Sequence, residues 1–285
     1  MAERLLGKEV AASLSEKTKA LVSKLHESGI TPALEIIRVG ENPGDLSYER
    51  GAVKRCEATG IDVRRTVFGA DADTDTLLQA IDRANEDRTV HGVLLLRPLP
   101  RSVDAQRIEN ALVPDKDVDG MGDLSMSGVF TGKQIGFAPC TPQAVMEILD
   151  YYGIALRGRR AVVIGRSLVF GKPASMMLLQ KDATVTICHT KTQDLASVAR
   201  QADILITAAG RAHTVRADFV REGQTVIDVG INLDAEGRLC GDVEYENVEK
   251  IVSAITPVPG GVGAVTTSVL AAHVAKAAMR QAKLD

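Results

Sequence analysis

Two glycines frame the turn Gly165-Arg166-Ser167-Leu168-Val169-Phe170-Gly171, which follows the apolar run Val162-Val163-Ile164 and leads into Lys172-Pro173. A strand that breaks into such a turn and then opens a helix is a place for an anion. Gly165 allows a tight bend, Gly171 allows close approach, and the free N–H groups at the helix start favour a phosphate. The spacing Gly-x-Ser-x-x-x-Gly departs from the usual dinucleotide fingerprint, so a plain strand-to-helix turn is the competing reading. The following strand, Thr184 to Cys188, sharpens the choice. An NAD ribose is usually held by an Asp or Glu about 20 residues after the glycines. Here the strand runs into His189-Thr190-Lys191-Thr192, and Arg166 sits in the turn itself. Hydroxyls and cations suit a 2′-phosphate, which points to NADP; the other reading is that His189-Thr190 only caps the next helix.

Two further stretches carry chemistry. Pro114-Asp115-Lys116-Asp117-Val118-Asp119-Gly120 has the acidic spacing that opens a calcium loop, but Met126 occupies the twelfth position, where a bidentate Glu is needed. Calcium is rejected. What remains is an acidic surface turn, or a carboxylate held to accept paired N–H donors from a heterocycle such as a pterin. In Thr256-Pro257-Val258-Pro259-Gly260-Gly261-Val262-Gly263, prolines fix the backbone and glycines remove side chains. That makes a shaped wall for flat rings, or a rigid interdomain turn.

The elements that must position these residues alternate. Helical periodicity from Leu6 to about Glu27 stops at Gly29 and Pro32. A strand at Ala33 to Val39, a helix around Leu46 to Thr59, a strand at Ile61 to Phe68, a helix from Thr74 to about Asn85 and a strand at Gly92 to Leu96 follow. Arg97 to Cys140 reads as one long irregular segment, the kind of loop that is usually functional. Thr141 as N-cap and Pro142 at the first helical position predict a helix through about Tyr152. A second series then begins: strands at 161–165, 183–188, 203–208 and 225–229, helices at 172–181 and 193–201, a hairpin turn at Asp234 to Gly237, and a strand entering Thr256. The last helix, Val265 to about Lys283, is apolar nearly all round and is expected to pack back on the first domain. Such alternation predicts an α/β fold with parallel sheets covered by helices.

Composition narrows the partners. With 285 residues and 45% hydrophobic content the chain can bury a sizeable core and form two domains. A net charge of -3, 3% aromatics and no Trp leave neither a basic stripe nor a stacking platform, which argues against nucleic acid. The start, Met1-Ala2-Glu3-Arg4-Leu5-Leu6, lacks the regions of a signal peptide, and no apolar run of spanning length is evident, so a cytoplasmic protein without a membrane partner is expected. Cys56, Cys140, Cys188 and Cys240 are far apart and read as buried free thiols rather than a zinc or disulfide set.

Taken together, Val39-Gly40-Glu41-Asn42-Pro43, Tyr48, Pro98-Leu99-Pro100, Pro114 to Gly120, Pro139-Cys140-Thr141-Pro142, Gly165 to Pro173, Val226 to Asn232 and Thr256 to Gly263 resemble, in order and spacing, the methylenetetrahydrofolate dehydrogenase/cyclohydrolase family. The resemblance implies an N-terminal three-layer α/β folate-binding domain at 1–140, with the helix 265–285 packed on it, and a Rossmann-like NADP-binding domain at 141–264. It further implies a homodimer, an active site between the domains, and tetrahydrofolate derivatives as substrates. By position, Tyr48 and Asp119 would be the catalytic pair, with Tyr48 orienting the folate bridge and Asp119 anchoring the pterin. Leu96, Arg97, Pro259, Gly260 and Gly263 would line the folate, and Gly165, Arg166, Ser167, Thr190 and Ile231 the cofactor. No metal is expected.

The chain departs from the family at two positions. Bifunctional members carry a Lys four residues after the active-site Tyr and a Gln shortly before Pro-Leu-Pro. Those positions hold Ala52 and Leu96. Lys54 cannot substitute on a helix, because position 52 lies roughly 40° from Tyr48 and position 54 roughly 120° away. Arg97 is a new charge nearby. Hydride transfer rests mainly on positioning. Opening the methenyl bridge with water calls for acid–base groups, typically worth about 10²–10⁴-fold. The expectation is a dehydrogenase with weak or absent cyclohydrolase activity, served by a separate cyclohydrolase. The alternatives are a fully bifunctional enzyme acting through Arg97 or another group, a non-catalytic folate/NADP-binding protein, and a Rossmann dehydrogenase for another small substrate.

Overall fold

A computed structural model describes residues 2–284. In chain order the elements are β1 (Glu3–Arg4), α1 (Gly7–Glu27), β2 (Ala33–Val39), α2 (Pro43–Ala58), β3 (Asp62–Phe68), α3 (Thr74–Glu86), β4 (Gly92–Leu95), α4 (Ala105–Ala111), α5 (Asp123–Thr131), α6 (Cys140–Tyr151), β5 (Arg160–Ile164), α7 (Gly171–Gln180), β6 (Thr184–Cys188), α8 (Leu195–Arg200), β7 (Ile204–Thr207), β8 (Thr225–Asp228), β9 (Asn232–Leu233), β10 (Leu239–Cys240), α9 (Tyr245–Val248), β11 (Ala254–Ile255) and α10 (Thr266–Ala282). The α/β class follows from the sequence as expected. The chain divides into two compact units: Ala12–Cys140 with the segment from Thr267 onward, and Thr141–Thr266 with the segment up to Ala11.

In the first unit, β3, β2 and β4 form a parallel three-stranded sheet in that order. Side-chain alternation gives it two apolar faces. Ile37, Val93 and Leu95 pack with Leu77, Ala80 and Ile81 of α3 and with Ile108 of α4. On the other face Gly92 lies against Val274 of α10, and a Cβ there would come within 3.1 Å of that side chain. The segment Val262–Ala282 is long and apolar enough to cross a membrane, contrary to the expectation that no such run exists, but 78% of its most apolar 18-residue stretch is buried within the protein. Its apolarity serves the core.

The second unit holds a parallel six-stranded sheet in the order β1-β11-β8-β7-β5-β6. From β5 the chain moves outward to β6 and then returns to β7, so the strand order reverses between β5 and β7. Such a reversal leaves a crevice at the carboxyl ends of the strands, where doubly wound sheets bind their ligands. β1 joins this sheet through Glu3↔Ala254 and Arg4↔Ile255. The first residues therefore group with the second unit, although they precede the first in sequence.

Three local expectations change. The stretch from Arg97 to Cys140 contains α4, a 3₁₀ turn at Pro114–Lys116 and α5. Helix α6 begins at Cys140, which places Thr141 and Pro142 inside its first turn; Pro is tolerated there because those N–H groups lack helical partners anyway. Helix α2 begins at Pro43 rather than Leu46, because the Asn42 side chain accepts from the Gly44 N–H and caps it.

Candidate active site

In the first unit, α2 leaves the carboxyl end of β2 and is fixed to the sheet by buried charge. Glu49 lies 2.8 Å from Arg38 of β2 and 3.5 Å from Arg65 of β3. With Glu49 turned to the strands, its neighbour Tyr48 lies within electrostatic reach of Cys140, Asp119, Cys56 and Arg97. Tyr48 is half-buried. Burial, with the carboxylate of Asp119 adding to it, pushes its phenol well above the usual tyrosine value. It is a neutral hydrogen-bonding group at any working pH.

Asp119 comes from the acidic loop, whose carboxylates have separate tasks. Asp117 is buried and accepts from Met121 N (3.0 Å), Gly122 N (3.0 Å) and Ser125 Oγ (2.6 Å), closing the turn before α5. Asp115 is exposed. Asp119 stands between these extremes, with its Oδ2 3.4 Å from Arg97 Nη2. The other side of the guanidinium reaches Glu109, at 3.5 Å. Burial raises the Asp119 carboxyl, while Arg97 and hydrogen bonds from Cys140 pull it back. The carboxylate is thus provided with donors and an opposite charge, as a group meant to stay ionised in a poor solvent must be.

Behind this cluster lies a residue that the sequence does not single out. His273 of α10 places Nδ1 2.9 Å from the Val118 carbonyl and 3.9 Å from Cys140 Sγ. Burial lowers its pKa to about 3, so it is a neutral support for the backbone beside Asp119. Nothing in the nearly uniform apolar pattern of α10 marks it. Cys140 belongs to a recognisable motif, but its contact with Asp119 depends on the turn that brings it under the loop.

Ala52 lies one turn beyond Tyr48 and is fully buried, and Leu96 is 5% exposed. Lys54 is exposed, away from the buried face that carries Ala52. Among the described residues, no lysine is one of the groups that chiefly shift Tyr48 or Asp119.

In the second unit, the Gly165 turn joins β5 to α7 at the reversal of strand order. Gly165 has φ +129°, and a Cβ there would lie 2.6 Å from the Ala208 carbonyl oxygen at the end of β7. Gly171 closes the loop even more tightly, since its Cβ would fall on the backbone of Gly165 and Arg166. Both glycines are demanded by backbone approach. The turn presents Arg166 and Ser167 to solvent at the start of α7, and Thr190 is exposed at the end of β6. Among the described residues, Arg166 makes no ion pair that would compete for a ligand phosphate. His189 and Thr192 hold each other's loop, with His189 N donating to Thr192 Oγ1 at 2.9 Å, which leaves the Thr190 hydroxyl available.

The proline–glycine wall and Ile231 come together in this unit. Asp228 to Ile231, Leu239 and Pro257 to Ala264 line a cavity of about 370 Å³. Pro259, Gly260, Gly263 and Ile231 all border it, and Ile231 is 69% exposed. Beneath it, burial raises the Asp228 carboxyl to about 6 although Gly230, Asp242 and Val243 all donate to it.

A doubly wound parallel sheet with a glycine-framed turn at its strand-order reversal, together with a unit that carries a donor-supported carboxylate, has the architecture of a two-unit α/β protein suited to a dinucleotide and a second ligand. The family model for the tetrahydrofolate dehydrogenase/cyclohydrolase catalytic domain matches residues 5–119, and that for its NAD(P)-binding domain matches 139–282. The chain belongs to this family. The bifunctional protein FolD of Carboxydothermus hydrogenoformans is 50% identical over 279 residues, covering 97% of each chain. Among solved structures, bifunctional FolD from Campylobacter jejuni superposes with a TM-score of 0.96 at 40% identity, covering 98% of this chain and 99% of that one. The Trypanosoma brucei dehydrogenase-cyclohydrolase, solved with NADP and an inhibitor, gives 0.93 at 32% identity over 99% of both chains.

Proposed function

We propose that the chain oxidises 5,10-methylenetetrahydrofolate to 5,10-methenyltetrahydrofolate, and that it hydrolyses the methenyl product weakly or not at all. The dehydrogenase activity comes with the family; the loss of hydrolysis is the finer claim. Bound NADP+ would supply the hydride acceptor for the methylene carbon, from which the folate nitrogen lone pair helps to expel hydride. The chain's own residues bind and orient. The exposed Arg166 and Thr190 suit the 2′-phosphate, the Gly165 turn and Ser167 suit the diphosphate, and Ile231 with Pro259, Gly260 and Gly263 offers an apolar wall to flat rings. Asp119 would accept the paired N–H donors of the pterin, and Tyr48, a neutral phenol, would donate to the folate near the reacting bridge. Leu96 and Arg97 would border the same ring.

One observation carries the loss of hydrolysis. The two positions at which bifunctional relatives keep a Lys and a Gln hold Ala52 and Leu96, both buried and apolar. Neither can move a proton. Retained hydrolysis is favoured by the bifunctional names of relatives that are about half identical to this chain and, in the site, by the Arg97 guanidinium 3.4 Å from Asp119. A guanidinium does not give up its proton in the working range, so it can stabilise charge but cannot serve as the base.

The test supplies purified protein with methylenetetrahydrofolate and NADP+ or NAD+, and then with methenyltetrahydrofolate alone. Reduction of NADP+ without enzyme-dependent hydrolysis is expected. Robust hydrolysis would overturn the monofunctional reading, and saturable binding without turnover would favour a binding protein. A cytoplasmic homodimer working beside a separate cyclohydrolase completes the proposal; light scattering of the purified protein checks the dimer.

A further inference from the structure

Asp242 is a fully buried carboxylate next to the cofactor turn that no step of the reaction uses. Its Oδ2 accepts from Ala209 N (2.5 Å), Gly210 N (3.3 Å) and Thr207 Oγ1 (3.2 Å). Its Oδ1 accepts from Arg211 N (3.1 Å) and Asn232 Nδ2 (2.9 Å). Five donors converge on one carboxylate, and among the described residues no cationic side chain pairs with it.

Three of those donors are the successive amides of residues 209–211. Consecutive N–H groups turned to one side form a concavity that favours an anion. This one follows β7, at the strand-order reversal where a dinucleotide's phosphates are expected. The chain fills it with its own side chain.

The consequence is mechanical. Ala208, one residue before the concavity, presents the carbonyl that lies against Gly165 in the phosphate turn. Asn232, held by the other oxygen, follows directly on Ile231 at the rim of the apolar cavity. A single carboxylate therefore ties the loop behind the phosphate turn to the segment beside the ring wall. Asp228 fixes the clamp from below, accepting from Asp242 N at 3.0 Å and from Gly230 N at 2.9 Å.

We propose that Asp242 is a positioning residue for cofactor binding: an internal anion that occupies the backbone concavity after β7 and holds both walls of the NADP crevice in register. The inference rests on reading this unit as the NADP site. It requires that Asp242 act on cofactor affinity and not on folate affinity.

The experiment compares wild type, Asp242→Asn and Asn232→Ala as full-length proteins. NADPH binding is followed by fluorescence titration, and KM is measured for each substrate. In D242N an amide group replaces one acceptor oxygen, so up to three donors lose their partner. Loss of hydrogen bonds to a charged group should raise the Kd for NADPH and the KM for NADP+ about 10- to 100-fold. The KM for methylenetetrahydrofolate should stay within about twofold, and kcat at saturation should fall far less than kcat/KM for NADP+. N232A removes one donor and keeps the carboxylate, so it should show the same pattern with a smaller shift and serves if D242N does not fold. Amide hydrogen exchange at residues 209–211 and 230–232 should accelerate in D242N, a readout that needs no cofactor. Unchanged exchange, unchanged NADPH affinity, or equal rises in both KM values would overturn the proposal. Wild-type protein that fails to bind NADPH while those amides stay protected would instead sink the reading of the unit as an NADP site.

Discussion

Arg97 and Asp119 form an ion pair at 3.4 Å, and the same guanidinium reaches Glu109 at 3.5 Å. Asp119 is raised by burial and lowered chiefly by Arg97. Arg97→Leu should therefore raise the Asp119 pKa further. If Asp119 anchors the pterin as proposed, its ionised form is the acceptor, and the acid limb of kcat/KM for methylenetetrahydrofolate should move to higher pH. The KM at pH 6 should rise more than the KM at pH 8. A pH–rate profile of the variant checks it, and an unmoved acid limb would show that Arg97 does not set the charge on Asp119.

In the proposed site, cofactor choice rests on two exposed side chains. Arg166 and Thr190 flank the site expected for the 2′-phosphate. Arg166→Ala should raise the KM for NADP+ about tenfold, the loss of roughly one charge-assisted contact, and leave the KM for NAD+ nearly unchanged. Thr190→Asp places an acceptor where an NAD ribose would use one and repels the 2′-phosphate. It should lower the NADP+/NAD+ preference further. Steady-state kinetics with both cofactors decides the matter, and equal effects on the two would remove these residues from phosphate recognition.

Stability should depend on pH through His273. Its folded pKa is depressed to about 3, mainly by burial, against an ordinary value of 6.5. A histidine held neutral in the fold binds fewer protons there than in the unfolded chain. Its contribution is fully present above about pH 6.5 and is lost as the pH falls towards about 3, at up to about 1.4 kcal/mol per pH unit. Asp228, in the other unit, has the opposite sign: a carboxyl raised to about 6 favours the fold as the pH falls below that value. Thermal melts from pH 8 to pH 4.5 should show His273→Gln less sensitive to acid than wild type, and Asp228→Asn more sensitive. Parallel curves for all three proteins would contradict both assignments.

How much of this is legible in the sequence depends on whether local pattern or tertiary contact decides the element. The Gly165 turn is readable because an apolar strand and two glycines signal a backbone requirement by themselves, and the structure gives that requirement a partner in the Ala208 carbonyl. Tyr48 and Ala52 are readable as a helical pair because 3.6 residues per turn fixes their common face. β1 is not, since Glu3 and Arg4 are exposed and become a strand only by pairing with Ala254 and Ile255. α5 is hidden by Ser125, Ser127 and Gly128, weak helix formers; the turn before it is tied by the Asp117 carboxylate, which accepts from Met121 N, Gly122 N and Ser125 Oγ. Asp242 carries no signal at all: its five donors come from segments that meet only in the fold.

Lys116 offers the sharpest stability test. It is 6% exposed, and its ammonium donates to the carbonyls of Ala84 (2.7 Å), Asn85 (2.9 Å) and Asp87 (2.7 Å). Three donors meet three acceptors at the end of α3, so one lysine caps three of its terminal carbonyls. Lys116→Met keeps the length and apolar contacts of the stem but leaves those carbonyls without a partner. With each hydrogen bond to a charged group worth about 1.5–3 kcal/mol and partial recovery by water, a net loss of roughly 3 kcal/mol is expected. For a unit of this size that corresponds to a fall in Tm of about 6–12 °C. Lys116→Arg should also melt below wild type although it keeps the charge, because a planar fork cannot direct three bonds from one nitrogen. Calorimetry on the two variants checks both statements. A melting point within about 2 °C of wild type in the Met variant would mean that water serves the α3 terminus as well as the lysine does.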